Sequence, residues 1–215
     1  MIPSGPYSMS EGRVTETQAQ PTGLVMPHDG EENAGAADWG PLSSLPGNPM
    51  MWILILGELA AFGAMFVGFA VARALDPAGF DASQAHLDRL LGGLNTMVLV
   101  TSGWLVAVAV RRRAVHRSHR GAMLGAMALG AVFLGIKAVE YGDKIARGLT
   151  VETDTFFQLY YLMTGFHAMH VAAGIVILAI VTWWDSLENM ETGAAFWHMV
   201  DLIWVLLYPI IYLLR

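Results

Sequence analysis

Five long apolar runs follow one another along the chain and constrain the fold more than any other feature of the sequence. They cover residues 50–72, 94–110, 121–141, 156–184 and 196–214. Each is roughly 17 to 29 residues long, and a helix that rises about 1.5 Å per residue needs about 20 residues to cross the hydrocarbon of a membrane. The second run reaches that length only if residues 87–91 extend its helix. The sequence therefore predicts an all-α, polytopic membrane protein, a bundle of five transmembrane helices.

The amino-terminal part of the chain has a different character. Residues 1–49 contain seven of the nine prolines but a single basic residue, Arg13. This composition is typical of a disordered segment. We expect an acidic, proline-rich tail over residues 1–49, followed by a membrane domain over residues 50–215. The tail has no basic stretch leading into an apolar core, so we do not predict a cleavable signal peptide.

Composition excludes several classes of protein. Charged residues make up 14% of the chain, whereas soluble domains have about 25%. No cysteine is present, which excludes disulfides, iron–sulfur clusters and thiolate-bound metals. The net charge of −6 argues against a nucleic-acid partner, because binding phosphates requires a concentrated basic face.

One short connection concentrates the basic residues. Residues 111–120 hold five arginines, and cytoplasmic loops of membrane proteins are enriched in lysine and arginine. We therefore expect this loop, the amino terminus and residues 185–195 on the cytoplasmic side. Residues 74–93 and 142–155 and the carboxy terminus then lie outside. A nucleic-acid-binding patch is the less favoured interpretation of the arginines, because a basic loop between two spans is the ordinary topology signal.

Small residues recur at four-residue spacing in the third span and are frequent in the first. The third span pairs Gly121 with Gly125, Ala126 with Gly130 and Ala131 with Gly135, and the first span contains Gly57, Ala60, Ala61 and Ala64. Small side chains allow close contact between membrane helices. We expect both helices to face neighbouring helices and not lipid alone.

Ionisable residues inside a span need partners, because a charge at the helix centre costs at least about 2.5 to 3.5 kcal/mol. Lys137 and Glu140 lie three residues apart on one face of the third span. We predict that they form an ion pair, with the lysine side chain reaching outward to the interface.

Glu58 has no charged neighbour within one turn of its own helix. Either its carboxyl group is protonated by desolvation, or it bonds a group from another helix. His170, or His198 with Asp201, lie at reachable depths. We favour a structural hydrogen bond over proton transfer.

Two histidines of the fourth span, His167 and His170, lie on nearly one face. A zinc or copper site would need further ligands at a similar depth, and His198 lies about 15 Å away in height, at 1.5 Å per residue. This offset also argues against a haem held by two histidines. We expect packing or interhelical hydrogen bonds, with metal binding as the less favoured alternative.

The last span carries aromatic residues beside its polar ones. Trp197, His198, Asp201 and Trp204 lie towards the predicted inner end, and Tyr208 and Tyr212 towards the outer end. Aromatic side chains are enriched at membrane interfaces. We expect interfacial anchoring to explain most of them.

Five short segments together resemble subunit III of the haem–copper oxidase superfamily. They are Gly57-Glu58-Leu59, Leu94-Asn95-Thr96, Lys137-Ala138-Val139-Glu140-Tyr141, residues 164–171 (TGFHAMHV) and residues 197–204 (WHMVDLIW). In this order they form a specific signature over residues 46–215. The chain resembles the short five-helix bacterial form, and looks most like the branch that accompanies nitric oxide reductase or bacterial quinol oxidases.

The resemblance implies an inner-membrane subunit of a bacterial respiratory complex, in aerobic or nitric oxide respiration. Such a subunit has no catalytic residue and no redox centre, and haem and copper belong to the catalytic subunit I that it binds, alongside other oxidase subunits and lipids. Its roles would be assembly, stability and, in proton-pumping members, proton uptake. The resemblance matches Glu58 to the family's buried acid, as a proton or lipid contact. The full set of residues that we predict to make proton, lipid or interhelical polar contacts is Glu58, His167, His170, His198 and Asp201.

Two other classes of function remain as alternatives. A small proton-coupled transporter or channel could use Glu58, His170 and Lys137, although Pro209 is the one proline within the predicted spans, and transporters are typically built around pairs of broken helices. A haem-binding membrane anchor could use His170 as a ligand.

Overall fold

Six α-helices and one π-helical turn account for most of the described chain. In a computed structural model, residues 49–184 and 186–214 are described. The helices are α1 (Pro49–Leu75), α2 (Pro77–Gln84), α3 (Arg89–Ala114), α4 (Arg120–Ala146), α5 (Thr155–Trp184) and α6 (Leu187–Tyr208), and the π-helical turn Pro209–Leu213 continues α6. The predicted tail over residues 1–49 lies outside the described residues, except for Pro49.

The prediction of an all-α protein with five membrane-spanning helices is confirmed. Five helices are long and apolar enough to cross a membrane: α1, α3, α4, α5, and α6 together with its π-helical turn. The chain is a multi-pass membrane protein. Of residues 87–91, which were expected to extend the second span, residues 89–91 do so, and the helix begins at Arg89 after Asp88.

Several boundaries differ from the predicted ones, and α3 and α4 continue to Ala114 and Ala146, into the predicted loops. The last helix begins at Leu187, although residues 185–195 were expected to form a loop. Polar residues at its start lowered the hydropathy of this segment without breaking the helix. The predicted outer loop over residues 74–93 contains α2, where Pro77 is in the first turn and the Asp76 side chain accepts a hydrogen bond from the Gly79 N–H at 3.0 Å. Both features are typical of helix starts.

Helix α6 lies at the centre of the bundle and packs against α1, α3 and α5, while α4 packs against α3 and α5. The Trp197 indole lies against Gly130 of α4 and Gly174 of α5. A Cβ atom on either glycine would lie within 2.7 to 2.8 Å of that ring. These two glycines therefore leave room for the Trp197 ring between α4 and α5.

Helix α1 packs against α5 and α6, but not through its small residues as predicted. Gly57, Ala60, Ala61 and Ala64 are all exposed. In α4 the prediction is correct for Gly130 against Trp197 and for Gly125 against Leu105 of α3. The spacing of small residues identified a close-contact face on α4 but could not say which face of α1 points inward.

Interfacial anchoring is also the wrong explanation for three aromatic residues of the last span. Trp197, Trp204 and Tyr212 are fully buried in the core. The Trp204 Nε1–H group donates to Thr96 Oγ at 2.9 Å on α3, and Tyr208 OH donates to the Arg89 carbonyl oxygen at 3.1 Å. These side chains tie α6 to α3 from within the bundle.

Candidate functional site

A buried ionic cluster lies at the end of the bundle opposite the arginine-rich connection. It consists of Lys137, Glu140 and Lys144 on α4, Tyr160 on α5 and Tyr212 in the π-helical turn, and is called the Glu140 cluster below. One carboxylate oxygen of Glu140, Oε2, accepts a hydrogen bond from Lys137 Nζ at 2.9 Å. The other lies 3.1 Å from Lys144 Nζ and accepts from Tyr160 OH at 3.0 Å and Tyr212 OH at 2.7 Å.

Lys137 points into the bundle, not outward to the interface as predicted. It is 2% exposed, and its ammonium also donates to Tyr160 OH at 3.2 Å and Tyr212 OH at 3.1 Å. These bonds use all three ammonium donors. The nitrogen also lies 5.1 Å from the Tyr160 ring centroid and 5.3 Å from that of Trp204, within the range of a cation–π interaction. Oxygen atoms and aromatic faces therefore stabilise the charge inside.

Three members of the Glu140 cluster were not identified as site residues from the sequence. Lys144 is 3% exposed and lies four residues after Glu140, a spacing that could have indicated it. Tyr160 and Tyr212 come from other elements, and nothing in their local sequence indicates an ionic partner. With two ammonium groups and one carboxylate, the cluster carries a formal charge of +1.

A second polar contact joins α1 to α5. Glu58 Oε2 lies 3.1 Å from His170 Nε2, and His170 Nδ1 lies 2.8 Å from the Phe166 carbonyl oxygen. Because a carbonyl oxygen can only accept, Nδ1 carries a hydrogen. The Nε2 contact then contains one proton, either as imidazolium with carboxylate or as imidazole with carboxyl. The pair is neutral in both arrangements.

This contact brings Glu58 and His170 together and leaves His198 and Asp201 elsewhere. The surroundings of the pair are aromatic: the His170 ring lies 4.6 Å from the Phe166 ring and 5.6 Å from that of Phe62, centroid to centroid. A neutral pair suits such an apolar environment better than an isolated charge.

His167 has a different partner from His170, although both were placed on one face. Its Nε2 donates to the Val200 carbonyl oxygen of α6 at 3.1 Å. Its ring packs 5.0 Å from Trp204 and 5.6 Å from Phe133 between centroids. His167 therefore links α5 to α6, while His170 links α5 to α1.

His198 and Asp201 lie at the α3–α6 groove. Their closest atoms, His198 Nδ1 and Asp201 Oδ2, are 3.9 Å apart, beyond hydrogen-bonding distance. Asp201 is 9% exposed, and its Oδ1 atom has no hydrogen-bond partner among the described residues. The carboxylate approaches Gly103 of α3 so closely that a Cβ atom there would collide with Oδ2.

The described residues contain no cluster of side chains that could hold a metal ion. Across residues 49–184 and 186–214, no group of three or more histidine, cysteine, aspartate or glutamate side chains could hold a metal ion. Both ring nitrogens of His170 have partners, and one nitrogen of His167 is bonded to α6. The polar chemistry of this domain is hydrogen bonding and ion pairing between helices.

Comparison with known proteins assigns the membrane domain. The family model for cytochrome c oxidase subunit III matches residues 50–215. The chain belongs to the cytochrome c oxidase subunit III family. The matched residues include the membrane-spanning helices, the Glu140 cluster and the Glu58–His170 contact. The match confirms the family resemblance found in the sequence.

Individual relatives of subunit III have low identity over most of the chain. Cytochrome c oxidase subunit 3 of Thermostichus vulcanus is 28% identical over 174 residues, covering 75% of this chain and 84% of the relative. Cytochrome bo(3) ubiquinol oxidase subunit 3 of Pseudomonas aeruginosa is 25% identical over 181 residues, covering 76% of this chain and 82% of the relative. Haem–copper oxidase subunit I+III of Aeropyrum pernix is 26% identical over 201 residues, covering 85% of this chain and 24% of that longer protein.

Proposed function

We propose that this protein is the non-redox subunit III of a respiratory haem–copper oxidase, in which it supports assembly and stability of the catalytic subunit. The match of the subunit III family to residues 50–215 carries the proposal. The site geometry agrees with it, because the polar groups bond one another across helices. Haem and copper would reside in the catalytic partner.

The proposed partner is the catalytic subunit I. In the Aeropyrum pernix relative, subunits I and III are named as parts of one protein, which supports this choice of partner. For Asp201 we propose a polar contact with such a neighbour, since one of its carboxylate oxygens has no hydrogen-bond partner among the described residues and its side chain lines a groove of about 340 Å³. A donor from an adjacent helix would stabilise this carboxylate.

Co-purification tests the main proposal. The full chain, tagged and expressed in its own membrane, should be isolated with a larger haem-bearing subunit, and the chain purified alone should show no haem absorbance. The identity of that subunit distinguishes an oxidase from nitric oxide reductase, the other complex favoured by the sequence resemblance. A stable isolated chain with stoichiometric haem would contradict the proposal.

For the Glu58–His170 pair we propose an interhelical role, joined by a role in proton uptake where the partner pumps protons. The neutral, one-proton contact supports this assignment. Glu58→Gln keeps the shape of the side chain and removes the carboxyl group that could take up and release a proton. It should leave assembly intact and change proton uptake or the persistence of activity during turnover. If both stay unchanged, the proton role is wrong and the interhelical one remains.

The transporter alternative is not favoured. Lys137 already gives its three donors to the Glu140 cluster, which removes it from a shared pathway with Glu58 and His170. The chain reconstituted alone in lipid vesicles should therefore give no proton flux. A flux abolished by Glu58→Gln would restore the transporter hypothesis.

We propose a bacterial inner-membrane location with the amino terminus in the cytoplasm and the carboxy terminus outside. The five arginines of residues 111–120 support this orientation. Since the chain has no cysteine, Ser118→Cys and Thr150→Cys each introduce a single thiol, at opposite ends of the bundle. A membrane-impermeant maleimide applied to intact cells should label position 150 and not position 118, and the reverse result would invert the orientation.

A further inference from the structure

A pocket lined by basic side chains lies at the connection between α3 and α4. Its volume is about 300 Å³, and its lining residues are Arg113, His116, Arg117, Ser118, His119 and Arg120. Three of these are arginines, and none of the described lining residues is acidic. The described lining residues therefore contribute three formal positive charges from arginine.

The backbone of this connection shapes the pocket. His116 has a left-handed conformation with φ of 53°, and the Arg117 N–H donates to the Arg112 carbonyl oxygen at 2.8 Å. Such a bond spans the end of a helix and reverses the chain direction. The reversal folds Arg117 back against the end of α3 and directs the chain into α4.

An apolar groove adjoins the basic pocket between α4 and α5. Its volume is about 490 Å³, and it is lined by Arg120, Leu124, Met127, Ala179, Thr182 and Trp183. Arg120 belongs to both spaces, so the basic pocket and the groove meet at this side chain. Trp183 is 84% exposed, as expected of an aromatic residue at a membrane interface.

The amino terminus of α4 adds to the positive potential at this junction. The helix starts at Arg120, and its preceding residue, His119, makes no side-chain capping hydrogen bond. The first backbone N–H groups of a helix have no partner within the helix and favour an anion. Arg120 and these N–H groups therefore present donors at the point where the polar and apolar spaces meet.

We propose that the basic pocket and the α4–α5 groove together bind one anionic diacyl phospholipid. The phosphate group lies against Arg117, Arg120 and the start of α4, and an acyl chain lies along Leu124, Met127 and Ala179. Basic pockets at the ends of membrane helices attract anionic headgroups, and the adjoining groove accounts for a lipid in preference to a soluble anion. The proposal depends only on the membrane domain, not on the identity of the catalytic partner.

Native mass spectrometry of the purified full chain tests this site, with dioleoyl phosphatidylglycerol and dioleoyl phosphatidylcholine as chain-matched probes. The wild type should retain phosphatidylglycerol preferentially. Arg120→Gln should reduce that retention about fivefold, the effect of one arginine near an anionic lipid surface. Ala179→Phe, which fills the groove without changing charge, should also reduce it.

Arg111→Gln is the matched control. Arg111 is exposed in the same arginine run and lines neither space, so its replacement should leave lipid retention near the wild-type value. An equal loss of phosphatidylglycerol retention in Arg111→Gln and Arg120→Gln would mean that the basic loop attracts anionic lipid without a specific site. That result would overturn the proposal. Arg120 is itself exposed, and Arg120→Lys, which keeps the charge, separates loss of binding from loss of folding by restoring most of the retention.

Two further results would also overturn the proposal. If inorganic phosphate displaces phosphatidylglycerol and Ala179→Phe has no effect, the pocket binds a free anion and the groove plays no part. If a photo-crosslinker at position 124 in the intact complex captures a protein subunit and no lipid, the groove is an interface between subunits.

Discussion

Replacing Glu140 with glutamine removes the carboxylate that both buried lysines of the Glu140 cluster contact. The variant keeps the shape of the side chain and the carbonyl oxygen that Tyr160 and Tyr212 can still donate to. The ammonium groups of Lys137 and Lys144, residues that are 2% and 3% exposed, then lie near each other without the Glu140 counter-charge. Removing one partner of a buried ion pair costs about 3 to 5 kcal/mol. We therefore expect the unfolding equilibrium constant to rise by roughly two to four orders of magnitude.

Equilibrium unfolding by sodium dodecyl sulfate in mixed micelles measures this change on the purified full chain. Tryptophan fluorescence is a suitable signal, because Trp204 lies 5.3 Å from the Lys137 ammonium, centroid to nitrogen. Glu152→Gln is the matched control, since it makes the same chemical change on an exposed residue of the α4–α5 connection. Its effect should stay within about 0.5 kcal/mol.

A double variant separates charge from shape. Combining Glu140→Gln with Lys137→Met removes one of the two unbalanced ammonium groups and should restore part of the lost free energy of unfolding. The two sites are in direct contact, so their effects should not add. If Glu140→Gln unfolds like Glu152→Gln, or if the double variant shows simple additivity, the reasoning about a buried counter-charge is refuted.

Three other predictions concern packing and partners. Gly130→Ala places a Cβ atom 2.7 Å from the Trp197 ring and should lower the free energy of unfolding by about 1 to 3 kcal/mol. The control is Gly135→Ala, whose Cβ would meet no atom within 4 Å. Equal effects of the two substitutions would contradict the close-packing argument. Glu58→Leu leaves a buried imidazole nitrogen without a partner and should cost about 1 to 3 kcal/mol in the same assay, whereas Glu58→Gln retains a donor and should cost less. Asp201→Asn should leave the isolated chain as stable as the wild type, because Oδ1 has no hydrogen-bond partner among the described residues. It should weaken retention of the co-purifying subunit, and an unchanged complex would contradict the proposed contact.

Hydropathy was enough to predict the five spans, because the membrane requires long apolar helices and short connections. It was not enough to place their ends. The helix starting at Leu187 begins with Glu188 and Glu191, whose charges interrupt an apolar run but suit the first turns of a helix outside the hydrocarbon. Hydropathy also did not predict α2, because this short helix is indicated only by individual residues, Asp76 and Pro77, at its start.

The polar contacts were partly readable from spacing within one helix. Lys137 and Glu140 share a face at i and i+3, and the structure joins them at 2.9 Å. Partners on other helices depend on helix rotation, which a single amphipathic pattern does not specify in a bundle with apolar residues on every face. This is why the direction of Lys137 was wrong and why the donors that could reach Glu58 remained open until His170 was located.

The central position of α6 has a consequence for biosynthesis. This helix follows α1, α3, α4 and α5 in the chain, so those helices enter the membrane before their shared neighbour exists. Until α6 arrives, His167 lacks the Val200 carbonyl, Thr96 lacks the Trp204 indole and Glu140 lacks the Tyr212 hydroxyl. These polar groups therefore gain their α6 partners only when the last span packs into the bundle.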